Sequence, residues 1–127
     1  MLCEEVMTTG VEYASLRESV ESIAARMRDA EIGWLPVCDD EGHVIGTVSE
    51  RDIIVKLVAY DMSARAPAGS VMTRDVAACR RDEDVRTAAR RMRESRASLL
   101  LCVDEAGRLA GIVHLADITP REAGGVL

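Results

Sequence analysis

Aromatic residues are scarce in this chain. They make up 2% of the 127 residues, and phenylalanine is absent. Proteins that bind single-stranded nucleic acid without sequence preference stack the bases on aromatic side chains, so this composition argues against that function. The hydrophobic core must instead be built from Val, Ile, Leu, Met and Ala, which supply most of the 48% hydrophobic content.

Positive charge is also in short supply. The net charge is −6 at pH 7, the pI is about 4.9, and Lys56 is the only lysine. Binding to a phosphate backbone requires concentrated Lys and Arg, which this balance does not offer. Nucleic acid is therefore not expected as a partner.

Signals for export, membrane insertion and metal binding are missing as well. There is no signal peptide, and no apolar run is long enough to span a bilayer. The cysteines form no C-x-x-C pair, and the two histidines are not spaced with them as zinc ligands. The sequence predicts a cytoplasmic protein with free thiols, no membrane partner and no metal site. Cys38 and Cys102 fall in apolar strand patterns, which favours small buried hydrophobic residues over a redox switch.

A strand-to-helix corner carries the most informative side chains. An apolar strand ends at Gly46–Val48, and Ser49 can cap a helix that runs toward Tyr60. Asp52, three residues after Ser49, makes a near capping box. A helix N-terminus attracts anions, Ser49 can donate a hydroxyl to a phosphate, and Asp52 can accept from two ribose hydroxyls. An ordinary capped turn would explain the same spacing.

The whole pattern recurs at an offset of 65 residues. Residues 71–73 repeat the Val-Met-Thr of residues 6–8, and Asp117 repeats Asp52, in one unbroken register. Self-similarity at a fixed offset is the signature of a repeat architecture. A corner that is duplicated at fixed spacing is more than a chance turn, so the repeat favours a binding function for it.

Each repeat predicts a strand, a helix, two strands and a second helix. The first covers residues 6–60, a linker follows at 61–70, and the second covers 71–119 with a truncated final helix, before a tail at 120–127. A unit of about fifty residues cannot cover both faces of a three-stranded sheet by itself. The sequence therefore predicts an α+β fold in which two β-α-β-β-α repeats pack sheet to sheet with pseudo-two-fold symmetry. The two aspartate-bearing corners should then lie beside the cleft between the halves.

These motifs, found twice and in the same order, resemble the tandem cystathionine-β-synthase (CBS) domain pair, also called a Bateman module. The resemblance runs from Val6 to Thr119, and the motifs are specific as an ordered set. They are Val6-Met7-Thr8, Leu35-Pro36-Val37, Asp39 with Gly42, and Gly46-Thr47-Val48-Ser49-Glu50-Arg51-Asp52-Ile53. The resemblance implies a regulatory module that binds AMP, ADP or ATP in the cleft, or S-adenosylmethionine or an NAD-like molecule, and that pairs into flat homodimers.

Individual roles follow from the resemblance, residue by residue. It implies that Asp52 binds the ribose hydroxyls, that Ser49 binds the phosphate, and that Arg51 is a further phosphate contact. The base pocket is expected to be lined, through backbone groups and apolar surface, by Thr8, Ile32, Gly33 and Pro36.

The second copy departs from the pattern. Asp117 is kept as the second ribose contact, but His114 stands at the position of Ser49, and Ala116 at that of Arg51. His114 can still donate to a phosphate, more strongly when protonated, or it can simply pack at the strand end. Pro120 should stop the last helix almost as soon as it starts. The site at Asp52 is therefore ranked above the site at Asp117.

Three functions compete on this evidence. The first is a sensor of an adenosine-containing ligand whose output passes to an effector protein, with Mg²⁺ accompanying a triphosphate. The second is an enzyme, which is disfavoured because no nucleophile is paired with a base and no Walker-type loop is present. The third is a protein-protein interaction or dimerisation module without a ligand, which the altered second corner supports.

Overall fold

A computed structural model describes residues 1–118 of the chain. The strands are β1 (Ala14–Ser15), β2 (Trp34–Cys38), β3 (Val44–Ser49), β4 (Ala78–Arg80), β5 (Leu99–Val103) and β6 (Leu109–His114). The helices are α1 (Cys3–Val6), α2 (Val20–Ala30), α3 (Glu50–Ile54), α4 (Ala68–Val71) and α5 (Val85–Ser95). A π-helical turn at Val55–Ala59 continues α3, and a 3₁₀ turn at Leu115–Asp117 follows β6.

The chain divides into two compact units. The central unit is Glu12–Val76, and the terminal unit joins Met1–Val11 to the chain from Ala77 onward. The opening Val-Met-Thr segment of each sequence repeat therefore belongs to the unit that contains the sheet of the other repeat. Residues 6–8 join the terminal unit, and residues 71–73 join the central unit.

Each unit contains one three-stranded sheet, which confirms the predicted α+β class. The order is β1-β2-β3 in the central unit and β4-β5-β6 in the terminal unit. The outer strand of each sheet is parallel to the middle strand, and the last two strands form an antiparallel hairpin. The hairpin pairs Trp34 with Ser49 in one unit and Leu99 with His114 in the other. Each corner therefore lies opposite the residue that starts the middle strand.

The long helices α2 and α5 each begin at a capping side chain and bury one apolar stripe. Ser19 Oγ accepts a hydrogen bond from the Ser22 N–H at 3.1 Å, and Asp84 Oδ1 accepts one from the Arg86 N–H at 2.8 Å. Capping by these short polar side chains satisfies N–H groups that the helix cannot pair internally. The buried stripes comprise Val20, Ile23 and Met27 in α2, and Val85, Ala88, Ala89 and Met92 in α5.

The segment after Ser49 differs in part from the predicted helix. The residue pattern of this segment predicts a helix whose apolar face is formed by Ile53, Ile54, Leu57 and Val58. Ile53 and Leu57 pack against the central core, whereas Ile54 and Val58 are 61% and 77% exposed. Residues four apart share a helix face, so the first pair turns inward and the second lies on the adjacent, solvent-facing side.

The end of the second repeat is only partly described. The 3₁₀ turn stands where the first repeat has α3. The predicted stop at Pro120 and the tail at 120–127 lie outside the described residues. In the part of the chain that the structure does describe, no helix is both long enough and apolar enough to cross a membrane.

Candidate functional site

The corner after β3 is closed by Ser49 and Asp52. Ser49 Oγ accepts from the Asp52 N–H at 3.1 Å, while Asp52 Oδ2 accepts from the Ser49 N–H at 2.9 Å and from the Ser49 hydroxyl at 3.0 Å. These bonds form the capping box that the sequence predicts. One carboxylate oxygen and the Ser49 hydroxyl proton are therefore engaged in holding the turn itself.

The other carboxylate oxygen meets a residue from much later in the chain. The Thr73 hydroxyl donates to Asp52 Oδ1 at 3.0 Å. Thr73 is held there because it exchanges two backbone hydrogen bonds with Thr47, at 2.9 and 2.8 Å. The sequence did not point to Thr73, because the repeat register places it at the start of the second copy. The sequence did contain a signal for Thr73, because Thr73 is the repeat equivalent of Thr8, which was among the predicted site residues.

Gly46 allows this segment to approach β3. A Cβ atom at Gly46 would lie 2.7 Å from the Thr73 carbonyl oxygen and 2.9 Å from Met72 Sδ. Any side chain at Gly46 would push the segment away. Gly111 has the equivalent neighbours in the terminal unit, where a Cβ atom would lie 2.6 Å from the Thr8 carbonyl oxygen.

The Asp52 carboxylate retains capacity to bind a ligand. A carboxylate offers about four acceptor positions, two on each oxygen. Oδ2 uses two for Ser49, and Oδ1 uses one for Thr73. A further hydroxyl group can bind at Oδ1, and the Thr73 hydroxyl can rotate away to make room for another.

Several other predicted residues gather at this corner. The Gly33 carbonyl accepts from the Glu50 N–H at 2.9 Å, which places Gly33 beside the start of α3. Ile32 packs against the central core, and Pro36 is buried opposite Thr47. Arg51 is exposed on the first turn of α3, and no ion pair of Arg51 exists within residues 1–118.

Thr8 lies in the terminal unit instead. Its backbone exchanges hydrogen bonds with Ile112, at 2.8 and 3.0 Å, as Thr73 does with Thr47. Thr73 therefore occupies, in the central unit, the position equivalent to that of Thr8 in the terminal unit. A contact of Thr8 with the base of a ligand stays a prediction.

The second corner has the same backbone hydrogen bond as the first corner, but it lacks the capping box. The Leu115 N–H donates to the Ser98 carbonyl at 2.8 Å, which matches the Glu50–Gly33 bond. His114 provides no side-chain cap, and Asp117 is exposed. Asp117 is therefore held less firmly than Asp52.

Burial governs the chemistry of Cys38. Its side chain is 1% exposed, and burial followed by the nearby Asp39 charge raises the pKa of the thiol to about 11. The thiol is protonated at neutral pH, and such thiols are inert. Cys38 and Cys102 are both buried, as the strand pattern predicts.

Comparison with known families assigns the fold. The sequence profile of the CBS domain matches this chain twice, at residues 3–59 and 68–122. The chain belongs to the CBS domain family. Both matches include the aspartate-bearing corner, at Asp52 and at Asp117.

Relatives of this CBS domain pair include longer proteins. The homoserine O-acetyltransferase of Methanococcoides burtonii is 38% identical over 116 residues, which are 90% of this chain and 22% of that protein. The uncharacterized protein MK0525 of Methanopyrus kandleri is 30% identical over 115 residues, which are 90% of this chain and 59% of that protein. The chain thus spans less than two thirds of either relative.

Two solved structures that share the fold contain adenosine compounds. The CBS domain pair of MJ0100, in complex with 5′-methylthioadenosine and S-adenosyl-L-methionine, is 28% identical, with a TM-score of 0.74 over 98% of this chain and 97% of that one. The cytosolic domain of the Mg²⁺ channel MgtE, in complex with ATP, is 30% identical, with a TM-score of 0.75 over 89% of this chain and 45% of that one.

Proposed function

We propose that this CBS domain pair is a regulatory module that binds an adenosine-containing ligand at the corner formed by Ser49, Asp52 and Thr73. The Asp52 carboxylate carries the proposal, because it is oriented by the capping box and still has acceptor capacity at Oδ1. AMP, ADP and ATP are the foremost candidates. S-adenosylmethionine and NAD-like molecules contain the same adenosine group.

The ribose is the part of the ligand that this corner fits best. One ribose hydroxyl can donate to the open position on Asp52 Oδ1, and a second can replace the Thr73 hydroxyl there. That exchange substitutes one hydroxyl donor for another, so it costs little. Hydrogen bonds to a charged group contribute roughly 1.5–3 kcal/mol each, which suits reversible sensing.

The phosphate and the base of the ligand would then be bound by residues next to the corner. The exposed Arg51 guanidinium is free to pair with a phosphate, whereas Ser49 must first release its hydrogen bond to Asp52 Oδ2. We therefore assign more of the phosphate interaction to Arg51 than the sequence suggested. Gly33, Ile32 and Pro36 are the proposed base contacts, and Mg²⁺ can accompany a triphosphate.

A weaker second site is proposed at Asp117 and His114. No capping box orients the Asp117 side chain. Binding must therefore order this side chain, and that loss of freedom reduces affinity. Ligand should fill the Asp52 corner first.

An association function is favoured by a separate observation. Ile54, Val58 and Tyr60 are 61%, 77% and 68% exposed along α3 and the π-helical turn. An exposed apolar strip of this kind is typical of an interaction surface. We propose that the protein forms a homodimer through it and passes its signal to an effector protein. Without a ligand, the same strip would make the chain a dimerisation module only.

Calorimetric titration of the full chain tests the ligand proposal. AMP, ADP, ATP, NAD and S-adenosylmethionine are titrated in turn, and at least one should bind. Asp52→Asn keeps the shape of the side chain and removes its charge, so it should weaken that binding by about 10-fold to 100-fold. Ser19→Ala is the matched control, because it removes a helix cap in the same unit and leaves the corner intact.

Deoxyribose analogues assign the contact to the ribose. The 2′-deoxy and 3′-deoxy forms of the ligand should bind the wild type more weakly and lose much less against Asp52→Asn. If no adenosine compound binds the wild type, the dimerisation function is favoured. If Asp52→Asn binds the ligand as tightly as the wild type does, the site lies elsewhere.

A further inference from the structure

Three of the four cysteines lie together in the core of the terminal unit. Cys3 is in α1, Cys79 in β4 and Cys102 in β5, and their exposed fractions are 0%, 2% and 0%. The parallel pairing of β4 with β5 places Cys79 directly beside Cys102. The cluster draws on three separate elements, so no short cysteine spacing in the sequence reveals it.

Potential ligand atoms converge at this cluster. Cys3 Sγ, Cys79 Sγ and a carboxylate oxygen of Glu83 all lie within 4.8 Å of one another. In a tetrahedral zinc site, where each Zn–S bond is about 2.3 Å, neighbouring sulfur atoms lie about 3.8 Å apart. The 4.8 Å limit on the separations of these three atoms is compatible with that spacing.

In the central unit, apolar residues without thiols occupy the positions equivalent to the three cysteines. At the offset of 65 residues, the places of Cys3, Cys79 and Cys102 are taken by Ala68, Ala14 and Val37, respectively. All of these apolar residues are 0% exposed, and Ala14 pairs with Val37 in the sheet as Cys79 pairs with Cys102. The fold therefore needs only apolar side chains at these positions, and packing does not require the thiols of Cys3 and Cys79.

Glu83 is oriented by the fold itself. Arg91 Nη1 lies 3.2 Å from Glu83 Oε2, and Arg91 Nη2 donates to the Ala78 carbonyl at 2.6 Å. The equivalent pair in the central unit, Glu18 with Arg26, lies at 2.7 Å. This carboxylate is thus a feature of both units, and the cysteines are what the terminal unit adds beside it.

We propose that Cys3 and Cys79 form a thiolate site for a soft divalent cation such as Zn²⁺, with Glu83 supplying an oxygen ligand and Cys102 adjacent to it in the core. Thiolate sulfur selects such cations over Mg²⁺ and Ca²⁺. Each thiol that binds releases its proton to solvent, and no electron transfer is involved. Arg91 is the outer partner of the site: it offsets part of the negative charge and orients Glu83.

A bound cation would also anchor the N-terminal segment. The Cys3 N–H donates to the Glu83 carbonyl at 2.8 Å, and the Glu4 N–H donates to the Arg81 carbonyl at 2.9 Å. These two bonds already hold α1 against the turn that precedes α5. Metal ligation by Cys3 would add to them and stabilise the placement of Met7 and Thr8 next to β6.

Spectroscopic titration with Co²⁺ tests the proposal on the full chain, reduced and freed of metal. One equivalent should give the absorption bands of a tetrahedral thiolate site, and Zn²⁺ should displace it. Cys3→Ala, Cys79→Ala and Cys102→Val are introduced together, because the central unit carries those residues at the same positions. This triple variant should lose the bands, whereas Cys38→Val, which alters a buried cysteine of the other unit, should keep them.

Single variants distinguish the loss of a metal ligand from misfolding of the triple variant. Cys3→Ala and Glu83→Gln should each weaken Zn²⁺ binding by at least about tenfold while the circular dichroism spectrum stays native. Absence of a one-equivalent thiolate complex in the reduced wild type overturns the proposal. So does a complex that survives in the triple variant or disappears in Cys38→Val, since the ion would then be adventitious or bound elsewhere.

Discussion

At the scale of single residues, the Asp52 side chain has both a structural and a proposed binding role. Its Oδ2 atom completes the capping box of α3, and its Oδ1 atom meets the Thr73 hydroxyl. The structural role explains why this carboxylate stands in one orientation. Binding to a ligand benefits, because an acceptor that is already fixed loses little freedom on contact.

The repeat offers a direct measure of the capping role. Ser49→Ala removes the acceptor for the Asp52 N–H and should lower the free energy of unfolding by about 1 kcal/mol. His114→Ala, at the equivalent position, removes no cap bond and should change it by less than about 0.5 kcal/mol. Urea unfolding followed by circular dichroism gives both values. Equal losses of unfolding free energy in the two variants would show that the Ser49 cap bond does not stabilise the fold.

At the scale of elements, each unit is completed by a segment from outside its own sequence repeat. The carbonyl and methionine side chain of this segment lie directly on a glycine of the returning strand, Gly46 or Gly111. Backbone hydrogen bonds of Thr73 with Thr47, and of Thr8 with Ile112, hold the segment in place. Glycine at these two positions is required by contact distance.

Alanine at these glycines should therefore destabilise the fold. In Gly46→Ala or Gly111→Ala, the new methyl group would lie under 3 Å from a backbone carbonyl oxygen and a methionine sulfur. Overpacking of this kind costs about 1–3 kcal/mol, measurable as a lower midpoint in urea. The control is Gly33→Ala, whose nearest neighbour is the Glu50 side chain at 3.4 Å. A midpoint for Gly46→Ala as high as that of the control would contradict the packing argument.

At the scale of the whole molecule, each unit contains its own sheet, helices and core. The central unit offers the better formed corner and the exposed strip of Ile54, Val58 and Tyr60. The terminal unit has the altered corner and the cysteine cluster. The two copies of one fold have thus diverged in their side chains more than in their backbone.

The proposed homodimer can be tested at the exposed strip. Val58 is 77% exposed, so Val58→Asp should not disturb the core, and it should shift the sedimentation coefficient from that of a dimer to that of a monomer. Ala106→Asp places the same charge on an exposed turn of the terminal unit and should leave the dimer intact. A wild-type chain that sediments as a monomer, or a Val58→Asp chain that remains dimeric, would rule out this surface.

By itself, the sequence determined the duplication, the α+β class, and the capping box at Ser49 and Asp52. These features follow from periodicity, short-range hydrogen bonding and turn chemistry, which act between residues close in the chain. Only the tertiary structure decided that Thr73 contacts Asp52, that Thr8 pairs with Ile112, and that three distant cysteines meet. Contacts of this kind join residues that are far apart in the sequence. They depend on the tertiary arrangement of the chain, which the spacing of neighbouring residues does not specify.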